Sequence, residues 1–520
     1  MYTHFTSQQL LPLYFSGFFL LSAVVCFFFS KKAIALTLLF IGTLKLGYFM
    51  ANLDPYLNLW DEQYHALVAK NMLENPFKPT LYNRPLLDYN YQNWTYNHIW
   101  LHKQPLFLWQ MALSMKTFGV SVISARIPSI VMHAFSALMI YKIGKITLNE
   151  RIGFIAALFF AVSFYFIELI SGKLPTEHND TAFLFYIIAS FWAWFEYSHT
   201  QKKYWLILIG LFSGCAILVK WLVGLLIYSA WALSLGVENR KNWIKLKTYF
   251  PLLNSLIVTT IVALPWQIYT FFAFPTEARH EFQRNSAHFF EVVENHSGDN
   301  WYHLNAISKL YGYGVLVPYL ILLGLIVYLY QLKNNSYRMV VISSIFIVYL
   351  FFTLAQTKLT SFTMIVCPFI FLGLATIIDL LFNYLTRYIK LGLIVKISSV
   401  LILITISFML LNLQQIELNH TLKDPSQNSN REVRLKEIEQ FKQLDDYLKC
   451  ENYVVFNLKS SEQCHISFMY LYDYVAYDYL PNSIEIEHLK SLNYKIAVVE
   501  GIDIPNYIYE SEGVEVFVLD

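Results

Sequence analysis

Apolar runs of about 20 residues, each long enough to cross a hydrocarbon core, recur from the start of this chain to about position 412. They predict twelve membrane spans, near 11–29, 33–51, 124–147, 151–170, 182–198, 204–219, 221–236, 250–270, 304–330, 339–355, 361–381 and 391–412. Beyond 412 the pattern changes. "REVRLKEIEQFKQLDDYL" has a helical period, while "YVVFNL", "KIAVVE" and "VEVFVLD" have the length and composition of short strands. The expected architecture is an α-helical polytopic membrane domain over residues 1–412 followed by a small α/β soluble domain over 413–520.

The polar connections set an orientation. Lys31 and Lys32, then Lys142, Lys145 and Arg151, then Lys202 and Lys203 fall in the first, third and fifth connections. Arg240, Lys241, Lys245 and Lys247 fall in the seventh, Lys333 and Arg338 in the ninth, and Arg387 and Lys390 in the eleventh. Positive charge marks the cytoplasmic side, so the even connections and the C-terminal domain are expected outside. The first outward segment, about 52–123, is too long for a simple connector. Its stretch "HKQPLFLWQMALSMKTFG" is apolar on one side and carries Lys103 and Lys116, the pattern of a helix lying in the interface.

Composition agrees with a membrane setting: 56% of the 520 residues are hydrophobic and 14% charged, against about 25% charged in soluble domains. The net charge of +2 gives no reason to expect a nucleic-acid partner. An aromatic content of 18% exceeds what interfacial belts need and suits a groove for a lipid tail. No small-residue cleavage site follows the first apolar run, which is expected to be retained as a span. Cys26, Cys215 and Cys367 fall in apolar runs as small packing residues; Cys450 and Cys464 lie in the polar part, where oxidising surroundings would let them pair.

Chemistry-bearing residues collect in the outward segments. In "LWDEQYHALVAKNM", Asp61 and Glu62 open a predicted helix with an apolar stripe at Trp60, Tyr64, Leu67 and Met72, and Asp61 and His65 share another face. That pattern fits an amphipathic helix resting on the bilayer; the same acids also suit an ordinary helix start. In "SGKLPTEHNDTAFLFY", Asp180 stands where the fifth span begins, either capping it or lining water. In "HKQPL", His102 and Lys103 precede a proline-fixed turn, where a lysine can meet a lipid phosphate or simply snorkel. Residues 274–304 hold Glu281, Arg284, His288, Glu294 and His296, a solvated loop or a site for phosphate or a divalent metal. Lys358 is a further cation at a membrane edge. Lys220 interrupts "CAILVKWLVG", as an inter-span turn or a buried functional charge.

Together these stretches resemble the bacterial membrane glycosyltransferases related to protein O-mannosyltransferases and the lipid A aminoarabinose transferase. The resemblance rests on "WDEQYHALVAKNM", "HKQPL" with "FLWQMALSMKTFG", "ARIPSIVMHAFSALMIYKIGK", the Asp180 turn, "AILVKW" and "KLTSFTMIVCP", in the family's order over about residues 52–380. It implies a C-type glycosyltransferase fold, a polyprenyl-phosphate-linked sugar donor and chemistry on the outer face of the cytoplasmic membrane. Asp61 then matches the catalytic carboxylate of the first loop, with Glu62 as its companion, and Asp180 matches the acid of the second outward loop. Lys103 matches the lysine of the family's Lys-Pro-Pro-Leu stretch, with Gln104 in place of the first proline. Lys103, Arg284 and Lys358 are the expected phosphate-binding cations. His65, His102, Glu281, His288 and His296 are candidate sugar, acceptor or metal contacts.

The expected reaction is an inverting transfer of a sugar to an acceptor hydroxyl or phosphate on a glycan, lipid or protein, with no cofactor required beyond a possible divalent metal. The rival expectations are a flippase or transporter of lipid-linked sugars and an oligosaccharide transferase using a diphosphate carrier. A transporter would concentrate ionisable residues near the midplane within internal repeats. Here the acids sit in the outward connections and no repeat is evident.

Overall fold

The computed structural model describes residues 4–238, 243–312, 314–389, 391–421, 431–449, 452–459, 461–501 and 504–519. Two long apolar helices come first, α1 (Ser7–Phe28) and α2 (Lys32–Ala51), with α1 started by a reciprocal Thr6–Gln9 capping box. The first long connection holds two helices, α3 (Asp61–Asn71) and α4 (Leu106–Phe118). Next come α5 (Val122–Thr147), α6 (Glu150–Val162), α7 (Phe164–Glu168), α8 (Glu177–Thr200) and α9 (Tyr204–Lys220). Apolar helices at Leu226–Glu238, Phe250–Ala273, Val317–Gln331, Asn335–Leu354, Cys367–Tyr388 and Gly392–Leu411 complete a multi-pass membrane bundle. Among the described residues eight helices are long and apolar enough to cross a membrane, nine if the bent pair α6–α7 counts as one.

Close helix crossings depend on missing side chains. A Cβ on Gly144 of α5 would lie 2.4 Å from the Gly153 Cα of α6, and one on Gly324 2.8 Å from the Gly373 backbone. Such contacts supply packing between helices where lipid offers no hydrophobic drive. Leu393, Ile397, Leu401 and Phe408 leave one face of the Gly392–Leu411 helix exposed, as a lipid-facing surface requires.

Three predicted spans differ in detail. The span expected at 151–170 bends by 50° at Ser163. The stretch Tyr204–Glu238 reverses at the tight turn Trp221–Leu225, where Ser213 Oγ donates to the Gly224 carbonyl at 2.5 Å. Eleven residues of straight helix would hold those groups about 16 Å apart, so the chain folds back at this turn instead of running on straight. The span expected at 304–330 is instead two short helices, Tyr302–Asn305 and Ile307–Tyr311, followed by Val317–Gln331. Gly312 and Gly314, at φ +132° and +134°, break the run with a backbone that other residues rarely adopt.

The C-terminal part is a four-stranded parallel sheet, β1 (Tyr453–Phe456), β2 (Val475–Ala476), β3 (Lys495–Val499) and β4 (Val514–Phe517), in the order β2-β1-β3-β4. Register pairs Val454 with both Val475 and Ile496. Parallel strands need helical crossovers, and Cys464–Leu471, Ser483–Ser491 and Asn506–Glu510 provide them. The unit is welded to the first connection: Gln63 accepts from Ser467 Oγ at 2.6 Å, Lys70 Nζ donates to the Met469 carbonyl at 2.9 Å, and Tyr470 donates to the Ser121 carbonyl at 2.8 Å. Cys464 is buried, its Sγ donating to the Leu458 carbonyl at 3.1 Å; Cys450 lies outside the described residues, as do Arg240, Lys241 and Lys390.

The polar segments segregate to two faces. Lys32 and Lys145 both pair with Glu150, and Arg151 pairs with Asp379, on one side of the bundle. The first long connection, the Gly172–Thr176 turn, residues 274–304 and the α/β unit gather on the other.

Candidate functional site

Helix α3 is not the half-solvated surface helix expected from its stripe. Tyr64, Leu67 and Met72 are buried, but so are Glu62, Gln63, His65, Ala66, Val68 and Ala69. It is sandwiched between the bundle and the α/β unit, and Glu62, Gln63, His65 and Lys70 bond to other chain segments. Its first turn opens onto a cavity. Trp60, just before it, holds φ +64°, and Asp61 follows as the first helical residue.

That opening is a cavity of 860 Å³. Asp61 and Lys103 line it, their charged atoms 3.5 Å apart and both side chains partly exposed, at 14% and 20%. Lys103 is carried on the turn that Pro105 ends as the N-cap of α4. The departure at Gln104 has a function in packing: its Oε1 accepts from Gln267 Nε2 at 2.6 Å, tying the turn to the Phe250–Ala273 helix. On the other wall Asp180 accepts from Thr176 and pairs with Lys220. Lys220 is thus the last residue of α9, at the cavity rim and 5.4 Å from the Phe362 ring centroid. Lys173 lines the cavity as well. Phe183, Val223, Phe351, Phe352, Leu359 and Ile365 make the remaining wall apolar.

Backbone strain concentrates here. Trp60, Thr176, Trp221, Glu294 and Asn295 all have positive φ, and all five line this cavity. Non-glycine residues hold that conformation only where surrounding structure enforces it, and such residues cluster at functional sites. Trp60, Thr176 and Trp221 are the points at which α3, α8 and α9 meet the rim, so the strain fixes where Asp61, Asp180 and Lys220 project.

Electrostatics separate the expected residues. Burial alone would raise the Asp61 carboxyl, but the Lys103 ammonium beside it holds it well below the usual carboxylate range. Burial pushes His65 down to about 3 and His288 to about 4, and lowers His102 too, so these imidazoles are neutral at pH 7. His65 Nδ1 meets Glu177 Oε1 at 2.7 Å in a sealed pair, away from the cavity. His102 stacks on Trp94, with ring centroids 4.5 Å apart, and lies 3.5 Å from Glu281. His102, His288 and His296 line the cavity; His65 and Glu281 do not. Among the described residues no three His, Cys, Asp or Glu side chains converge as a metal site would require.

Glu62, Arg284 and Lys358 part from their expected roles. Glu62 is fully buried: Arg126 Nε and Nη2 donate to its two oxygens at 2.7 and 2.8 Å, the Asn58 amide donates at 2.6 Å, and His178 Nε2 donates at 3.1 Å. Its carboxylate is fully engaged and does not reach the cavity. Arg284 pairs with Glu294 at 2.5 Å, behind the wall that Glu294 faces. The Lys358 amine donates to the Phe352 and Thr353 carbonyls at 2.9 and 2.6 Å, closing the C-terminal end of the Asn335–Leu354 helix rather than facing the cavity.

Residues absent from the expectation complete the arrangement. Arg126 grips Glu62 and also donates to the Ala51, Asp54 and Tyr56 carbonyls at 2.8–2.9 Å, locking the entry to α3. A lone arginine inside an apolar run was the signal available for it. Lys173 had only its place in the polar turn before Asp180.

Residues 102–269 match the family described as dolichyl-phosphate-mannose-protein mannosyltransferase. Over 172 residues the chain is 28% identical to the undecaprenyl phosphate-alpha-4-amino-4-deoxy-L-arabinose arabinosyl transferase of Pseudomonas paraeruginosa, a match covering 31% of this chain and 29% of that one. The chain spans about 30% of the length of the curated relatives it matches. In solved structures the likeness covers nearly everything: ArnT from Cupriavidus metallidurans bound to undecaprenyl phosphate superposes with a TM-score of 0.58 at 14% identity, over 90% of this chain and 86% of that one. The archaeal oligosaccharyltransferase AglB from Archaeoglobus fulgidus, with an inhibitory peptide and a dolichol-phosphate, gives a TM-score of 0.53 at 12% identity, over 88% and 68%. This chain has the C-type glycosyltransferase fold of a multi-pass membrane protein and resembles the protein O-mannosyltransferase and aminoarabinose transferase group.

Proposed function

We propose that this protein is a membrane glycosyltransferase that moves a sugar from a polyprenyl-phosphate donor to an acceptor hydroxyl, with inversion, on the outer face of the cytoplasmic membrane. The observation that carries the reading is the Asp61–Lys103 pair lining an 860 Å³ cavity whose polar part sets Lys103, Lys173 and Lys220 beside Asp61 and Asp180 and whose remaining wall is apolar. A lipid phosphate suits the lysines and an isoprenoid chain suits the Phe351–Ile365 wall. ArnT binding undecaprenyl phosphate on the same fold supports that choice of donor. Segregation of the Lys32, Lys145 and Arg151 cluster to the opposite side of the bundle supports the orientation.

Asp61 orients the acceptor hydroxyl and takes its proton as the oxygen attacks the anomeric carbon. The new carbon–oxygen bond forms as the bond to phosphate breaks, and the electron pair leaves on the phosphate oxygen. Lys103, with Lys173 and Lys220, meets that charge. An Asp held far below neutral pH is ionised but a weak base. Donor binding corrects this: the phosphate competes for Lys103 and adds a negative charge, and both effects raise the proton affinity of Asp61. Asp180, steadied by Thr176 and Lys220, faces the sugar hydroxyls. Glu62 acts at one remove, as the anchor of α3.

The test is purified protein in proteoliposomes with a polyprenyl-phosphate donor labelled in the sugar. Labelled sugar appearing on an acceptor, with free polyprenyl phosphate released, is the expected result. Label crossing the bilayer still attached to its lipid would instead mean a transporter. Mass spectrometry of cells with and without the protein would name the sugar and its destination.

A further inference from the structure

A second cavity, of 260 Å³, lies between the first long connection and the α/β unit. Its walls are tyrosine rings: Tyr82 and Tyr477 stack with centroids 5.3 Å apart, and Tyr479 packs on Tyr477 at 5.3 Å. Tyr89 stands at the mouth, 42% exposed, with Asp88 and Asn90 beside it. Tyr82 is 4% exposed, yet its buried hydroxyl has no hydrogen-bond partner among the described residues. His98 Nδ1 meets the Tyr82 carbonyl at 2.7 Å and burial lowers its basicity, so the ring is neutral and offers Nε2 as an acceptor.

This chemistry selects a ligand. No lysine or arginine lines the cavity, which argues against an anion, and Asp88 and Asn90 argue against a hydrocarbon tail. Flat rings alternating with carboxylate, amide and hydroxyl groups suit a sugar ring, whose C–H face covers an aromatic surface while its hydroxyls bond at the edge. The two cavities share a wall. Trp94 and Thr95 line the large one, Asn93 and Tyr96 the small one, and Asn93 Oδ1 stiffens the turn by accepting from the Thr95 amide at 3.1 Å and hydroxyl at 2.7 Å.

We propose that the tyrosine cavity binds a sugar ring of the acceptor, so that the molecule receiving the transferred sugar is itself a glycan or glycolipid. Only the word acceptor rests on the transferase reading; the saccharide site stands without it. The probes are methyl α-glucoside, methyl α-mannoside and N,N′-diacetylchitobiose, observed by saturation-transfer NMR with the full chain in nanodiscs. At least one is expected to receive saturation at its ring protons. Tyr89→Ala is expected to weaken that binding about tenfold, the scale of one lost aromatic contact, while Tyr89→Phe retains it. Tyr89 is exposed, so its loss leaves the fold intact, and Asp61→Asn leaves glycoside binding unchanged. In the transfer assay Tyr89→Ala raises the acceptor KM and spares kcat. No binding by any probe, or equal binding to Tyr89→Ala, overturns the site even if transfer is intact. Tyr89-dependent binding without any transfer supports the site and removes the transferase reading instead.

Discussion

Asp61 and Glu62 are neighbours in sequence with opposite surroundings. Asp61 faces a cavity and meets one lysine at 3.5 Å, with both side chains partly in contact with solvent. Glu62 is sealed, its two oxygens gripped by Arg126 at 2.7 and 2.8 Å and bonded by the Asn58 amide and His178. Gly172 closes the pocket so tightly that a Cβ there would lie 2.1 Å from the Glu62 carboxyl carbon. A loose pair at a rim can exchange partners when a substrate arrives; a saturated pair in the interior cannot. The first arrangement suits chemistry and the second holds the frame on which that chemistry is mounted.

The sharpest way to break this contrast is to remove the buried acid. Glu62→Ala leaves Arg126 charged and unpaired, and such losses cost about 3–5 kcal/mol. It is expected to lower thermal stability in detergent, measured by a melting assay, and the double variant Glu62→Ala with Arg126→Met to recover most of it. Lys103→Ala acts on the other side. Turnover is expected to fall about 10²–10³-fold, the cost of one charge-stabilising donor, with the melting temperature near wild type. Gly172→Ala probes the sealed side by crowding the Glu62 carboxylate without removing a charge. Its φ of +77° and the crowding against Glu62 predict a loss of about 1–3 kcal/mol. The smallest effect is pH. Burial works against ionising Glu62, but Arg126 wins and draws its carboxyl from 4.5 down to about 2. Its stabilisation is therefore complete above pH 4.5 and is lost as pH falls toward 2; melting between about pH 5 and pH 4 samples only the upper end of that loss. Glu62→Gln should flatten the slope.

Much of the fold was legible because hydrocarbon imposes length and composition on every span, and because the strand runs beginning at Tyr453, Lys495 and Val514 are nearly continuous apolar segments. The breaks were not. Ser163 and the Gly312–Gly314 region interrupt runs that remain apolar, so hydropathy passes straight over them. At the site, Asp61, Lys103 and Asp180 could be picked out because each stands where a helix starts or a turn is fixed. Glu62 could not be told from Asp61, since its partner lies 64 positions away and only the fold brings Arg126 to it. The same reason hid the Asp180–Lys220 pairing and placed Arg284 and Lys358 among expected phosphate ligands. A sequence shows that a cation exists, not what already holds it.

The most direct test of the central claim is turnover by Asp61→Asn beside wild type, at equal amounts of protein inserted in proteoliposomes with a labelled polyprenyl-phosphate donor. Loss of the carboxylate is expected to slow transfer by about 10²–10⁴-fold, with donor binding no weaker than wild type because Lys103 is freed for the phosphate, and with melting temperature close to wild type. Full turnover by a correctly inserted Asp61→Asn protein would contradict the account.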